Sequence, residues 1–87
     1  MELHNYMEEV VKECLDEELP SREDVCKCDR CKLDMLAWAL NRLSPRYIVT
    51  DEGRVYTKLQ EINIQFRVDV IREVTKAIEH IKKNPRH

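Results

Sequence analysis

Cys26-Lys27-Cys28-Asp29-Arg30-Cys31 places three thiols within six residues, and their chemistry decides how the rest of an 87-residue chain holds together. Zinc takes four ligands tetrahedrally, about 2.3 Å from each sulfur, and a C-x-x-C turn presents two sulfurs to one ion. Cys28 and Cys31 make that pair at the head of a predicted helix, and Cys26 adds a third sulfur from the approach. Cys14, on the buried face of the preceding helix, is the expected fourth ligand; His4, Asp29, His80 and water are the alternatives. Four thiolates around a divalent ion leave a charge of −2, which Lys27, Arg30, Lys32 and the positive end of the helix offset in part. A thioredoxin-like redox C-x-x-C is a weaker alternative, since no βαβ pattern surrounds it. An iron–sulfur cluster would use the same ligands. The reading taken is one structural Zn2+ per chain, on Cys14, Cys26, Cys28 and Cys31, with no open coordination position.

The compartment supports a metal over disulfides. Met1 to Glu9 carries three acids and no basic run ahead of an apolar stretch, which is no signal peptide. No stretch approaches the ~20 apolar residues of a membrane span. A cytoplasmic protein is expected, and there thiols stay reduced. Length argues the same way. Eighty-seven residues make a single domain, 1–87. Such a chain buries only roughly 60–65% of the surface its unfolded form exposes, so a metal or a partner subunit is a natural staple.

Outward from the cysteines, the chain reads as an all-α small bundle. With 37% charged residues, one Gly and three Pro, it suits helices better than a turn-rich sheet. Asn5 and Glu8 resemble a capping box ahead of a first helix. Met7, Val10, Val11, Cys14 and Leu15 fall on one face of it, and Leu19-Pro20-Ser21 ends it. A second helix is predicted from about Asp29 to Leu43. Its run of Leu33, Met35 to Leu40 and Leu43 makes it the buried central element, stopped by Ser44-Pro45. Residues 46–50 and 54–57 flank Asp51-Glu52-Gly53 as two extended stretches, a small hairpin held by packing on the helices. A last helix is predicted from about Lys58 to Lys83. Gln65, Asp69, Arg72, Lys76, Glu79 and Lys83 fill one polar arc, while apolar residues spread over far more than one core-facing stripe requires. That surplus implies a second buried contact. A two-fold homodimer is the commonest way to supply it; wrapping by the chain itself is the alternative.

Nothing here reads as an enzyme. The single glycine leaves no phosphate-cradling loop, and there is no Ser-x-Gly elbow and no His–Glu pairing to suggest a general base. Trp38 reads as core and Asp34 as a hydrogen-bonding acid of the central helix. A formal net charge of −2 creates no field that would gather nucleic acid.

The order Asn5-Tyr6-Met7-Glu8, the cysteine cluster running into Asp34, Ala39-Leu40-Asn41, Pro45-Arg46-Tyr47, Gly53, Tyr56 and the closing Asn84-Pro85-Arg86-His87 resembles the bacterial late-competence ComFB family along nearly the whole chain. The resemblance implies an all-helical homodimer with one zinc per subunit on cysteines. It also implies a link to natural competence and a role as receptor for a cyclic dinucleotide, cyclic di-GMP or cyclic di-AMP. Such a ligand carries two phosphates and two purines, so it calls for guanidinium forks and planar stacking groups. Arg46, Tyr47, Arg54, Tyr56 and Lys58 in the linking segment offer these, with Arg86 and His87 as a second basic pair. The competing expectations are a protein–protein adaptor with structural zinc and no small ligand, and DNA binding, for which the mixed charges speak poorly.

Overall fold

The computed structural model describes residues 2–49 and 64–85. Among the described residues three helices form the body: α1 (Met7–Glu18), α2 (Asp29–Leu40) and α3 (Ile64–Lys83), joined by a 3-10 turn over Leu19–Ser21 and edged by strands β1 (His4–Asn5) and β2 (Tyr47–Ile48). Each helix packs against the other two. The bundle is therefore all-α in its load and carries one two-stranded antiparallel ribbon, with His4 opposite Ile48 and Asn5 opposite Tyr47.

Spacing explains the core. Met7, Val11, Leu15 and Leu19 recur every fourth residue and are all buried, as are Cys31, Met35 and Ala39 on α2. Val70, Val74, Ala77, Ile78 and Ile81 supply the stripe of α3. Acidic Glu8 and Glu9 sit in the first turn of α1, and His80, Lys82 and Lys83 in the last turn of α3. Both placements complement the helix dipole.

Local expectations are corrected in three places. Asn5 does not cap α1: Tyr6 occupies the cap position with helical backbone, while Asn5 Oδ1 reaches past it to the Met7 amide at 3.1 Å. Helix α2 ends at Leu40, short of Leu43, because Asn41 and Arg42 turn back to the carbonyls of Ala37 and Ala39. Nor is α2 buried all round: Leu33 is 64% exposed and Leu36 half-buried. Tyr47–Ile48, the first arm of the expected hairpin, pairs with the N-terminal segment. The physical cause is the backbone of Arg46, whose amide donates to Asn5 Oδ1 at 2.8 Å and whose carbonyl accepts from Tyr6 at 2.6 Å. The second arm of the expected hairpin, with its turn at Gly53, and the predicted first turns of the last helix lie outside the described residues.

The link between α1 and α2 is tied into the core and to α3. Val25 is buried in the core, Arg22 pairs with Glu79 at 3.3 Å, and Asp24 pairs with Lys82 at 2.5 Å. This fixes the approach to the cysteine cluster. No described helix is long and apolar enough to cross a membrane.

Candidate metal centre and arginine cleft

Helix α2 begins on a cysteine. Cys28 is its cap residue with extended backbone, and its sulfur accepts the Cys31 amide at 3.5 Å. One turn of helix thereby sets Cys31 beside it, and the extended approach brings Cys26 alongside. The three Sγ atoms lie within 4.8 Å of one another. Thiolates bound tetrahedrally at about 2.3 Å would stand about 3.8 Å apart, so small side-chain rotations gather this trio on one ion. Donor chemistry and spacing both fit zinc.

The environments of the three differ. Cys26 and Cys28 are exposed and Cys31 is buried. The Cys31 amide, followed by Cys26, holds the Cys28 thiol below its ordinary value. Burial first, then its two neighbouring thiols, push Cys31 up to about 12. A metal ion reverses that penalty, since its charge replaces the proton on each sulfur. Cys28 thus offers the readiest thiolate, and Cys31 gains most from the cation.

Cys14 is not within this trio. It lies half-buried against the core from mid-α1. Burial, then the carboxylates of Glu18 and Glu17, raise its thiol to about 11. Two other candidate ligands are engaged elsewhere: His4 Nε2 meets Glu9 Oε2 at 2.9 Å, and His80 stacks on Trp38 with centroids 5.4 Å apart. The His4–Glu9 contact is a pairing that the sequence gave no reason to expect; it sits on the partly exposed ribbon side of α1.

A second feature lies past the other end of α2. Arg42, Leu43, Ser44 and Arg46 face Phe66, Asp69, Val70, Arg72 and Glu73 of α3 across a cleft of about 340 Å³, with Met7 also lining it. The Arg46 guanidinium lies over the Phe66 ring at 4.9 Å, and Arg42 covers Trp38 at 3.5 Å. Arg72 pairs with Asp69 at 3.2 Å. One oxygen of Glu73, Oε2, is buried without a hydrogen-bond partner.

Of the sequence-predicted ligand residues, Arg46 lines this cleft, and Tyr47 stands exposed on β2. Tyr56, Arg86 and His87, with Arg54 and Lys58, lie outside the described residues. Sequence reading missed Arg42, Phe66, Arg72 and Glu73. Only the i, i+4 step from Trp38 to Arg42 was there to be noticed. Trp38 itself, expected in the core, packs against it and also stacks outward between Arg42 and His80.

Known proteins carry the same arrangement of elements. Residues 4–85 match the family model for the late competence development protein ComFB. The competence protein ComFB of Bacillus subtilis (strain 168) is 29% identical over 83 residues, covering 95% of this chain and 85% of that protein. The solved structure of the late competence protein ComFB from Bacillus subtilis superposes with a TM-score of 0.85 at 28% identity, covering 97% of this chain and 92% of that one. With sequence and fold agreeing across nearly the full length, the chain belongs to the late competence ComFB family.

Proposed function

We propose that this protein is a zinc-stabilised regulator in natural competence that binds a cyclic dinucleotide second messenger in the arginine cleft. The carrying observation is the convergence of Arg42, Arg46 and Arg72 around one cleft that also holds the Phe66 ring. Three guanidiniums match two phosphates, and a planar ring offers a base a stacking face. The volume lies within the roughly 300–1,000 Å³ of small-molecule sites. Zinc on Cys26, Cys28 and Cys31, with the fourth position on Cys14 or water, clamps the start of the helix that leads to this cleft. The role of the metal is structural, and no residue is assigned a catalytic part.

Isothermal titration with cyclic di-GMP and cyclic di-AMP tests the ligand. The expected result is micromolar or tighter binding of at least one, weakened about 10- to 100-fold by Arg46→Ala, as loss of a charge-assisted contact implies. No heat with either nucleotide at high concentration contradicts the reading.

A second reading is an adaptor that recruits another protein without a small ligand. Leu33 supports it, 64% exposed beside a groove lined by Lys12, Leu15, Asp16, Asp29, Lys32 and Leu36. Nucleotide-induced thermal stabilisation separates the two readings. A homodimer is part of both, supported by the outward apolar face of α3 at Val68 and Ile71, 43% and 46% exposed. Light scattering should give twice the chain mass.

A further inference from the structure

The cysteine trio is half open to solvent. Cys26 and Cys28 are exposed here and only Cys31, at 1% exposure, is buried. A small oxidant therefore reaches sulfur with the chain still folded. Cys28 stands at the helix cap and Cys31 one turn in, with sulfurs within 4.8 Å of each other and the Cys31 amide directed at the Cys28 sulfur. An exposed thiolate with a second thiol held beside it is the arrangement that turns a reversible oxidation into a disulfide.

We propose that this centre is a peroxide-responsive switch, in which Cys28 and Cys31 close a disulfide and the metal leaves. The inference rests on the zinc reading above. The Cys28 thiolate attacks one oxygen of hydrogen peroxide; the S–O bond forms, the O–O bond breaks and hydroxide departs, leaving a sulfenic acid. The Cys31 thiolate then attacks that sulfur; the S–S bond forms and the S–O bond breaks, releasing a second hydroxide. Both hydroxides take up solvent protons and become water. The two sulfurs lose two electrons between them, peroxide gains them, and zinc stays divalent throughout. Of the trio, Cys26 alone then keeps a free thiolate, and a single thiolate does not retain the ion against water.

The fold gives the event a direction. Cys31 belongs to the core cluster with Met35 and Ala39, on the helix that ends just before Arg42 of the cleft. Losing the metal removes the clamp at the start of α2. Val25 and the pairs Arg22–Glu79 and Asp24–Lys82 then remain to hold the approach. Oxidation should thus loosen the helix whose far end serves the cleft, and a thiol reductant with zinc should restore it.

The test uses the full chain as purified under reducing conditions, its zinc first counted by elemental analysis. After the reductant is removed, hydrogen peroxide is added while a chromogenic chelator reports free zinc, and alkylated samples are mapped by trypsin. Cleavage after Lys27, Arg30 and Lys32 puts each cysteine of the trio on its own peptide, so the disulfide partners are read directly. The expected result is one zinc released per disulfide formed, Cys28–Arg30 joined to Cys31–Lys32, and a lower melting temperature that reductant plus zinc reverses. Zinc retained under peroxide, oxygen added to sulfur without a disulfide, or a disulfide through Cys14 or Cys26 overturns the switch and leaves the zinc reading standing. A preparation with no zinc at the outset overturns both.

Discussion

Asn5 Oδ1 accepts the Arg46 amide at 2.8 Å across 41 positions of sequence, and the same oxygen takes the Met7 amide at 3.1 Å. One side chain thus joins the start of α1, the ribbon and the residue that brings a guanidinium to the cleft. Asn5→Ala leaves two amides without their acceptor and should cost about 1–3 kcal/mol in urea denaturation. Asn5→Asp keeps the acceptor and should recover most of that loss. Equal destabilisation by both would show that the oxygen is not what matters.

Ile78 is fully buried where α3 meets the other two helices. Ile78→Ala should lower stability by about 2–5 kcal/mol. Small domains hold only about 5–15 kcal/mol in all, so the variant should be partly unfolded at growth temperatures. A loss below 1 kcal/mol by chemical denaturation would mean that this side chain is not in the core.

The Asp24–Lys82 pair gives the fold a dependence on pH at both extremes. The hydrogen bond from Lys82 is the main cause holding the Asp24 carboxyl below 3.8, and the same bond is the main cause raising Lys82 above 10.5. A carboxyl depressed by folding stabilises the fold above its unfolded value, and that contribution disappears as pH falls through the lowered one. An ammonium raised by folding contributes fully below 10.5 and fades as pH rises through its raised value. Lys82→Met should therefore flatten the stability profile in strong acid and strong base and lower the melting temperature slightly at neutral pH, since the pair is exposed. A variant profile parallel to the wild type at both ends would dismiss the pair.

Helices and cysteines were legible because their signals are local. The every-fourth-residue recurrence of Met7, Val11, Leu15 and Leu19 is a property of adjacent turns, and the cluster Cys26, Cys28, Cys31 is brought together by a single turn of chain. Partners distant in sequence were not legible. The pairing of Tyr47–Ile48 with His4–Asn5 has no local signal, because it is made by the Asn5 side chain and the Tyr6 amide acting on Arg46. The cleft is hidden for the same reason. Arg42 and Arg46 come from the segment between α2 and β2, Phe66 and Arg72 from α3, and only packing of α2 on α3 sets them face to face. The end of α2 was overrun because Leu43 continues the apolar pattern while the backbone has already turned at Asn41.

The central claim is that one zinc ion on thiols of the trio completes a core too small to be secure alone. Cys28→Ser removes a ligand while the serine oxygen still caps α2, so a fall in zinc content and melting temperature together reports the metal and not the cap. The most direct measurement is elemental analysis of freshly purified, reduced wild-type protein, paired with a melt before and after a strong chelator. One zinc per chain is expected, with a melting temperature lower by roughly ten degrees or more once it is stripped, as loss of a structural metal implies. Metal-free protein whose melt the chelator leaves unmoved would contradict it.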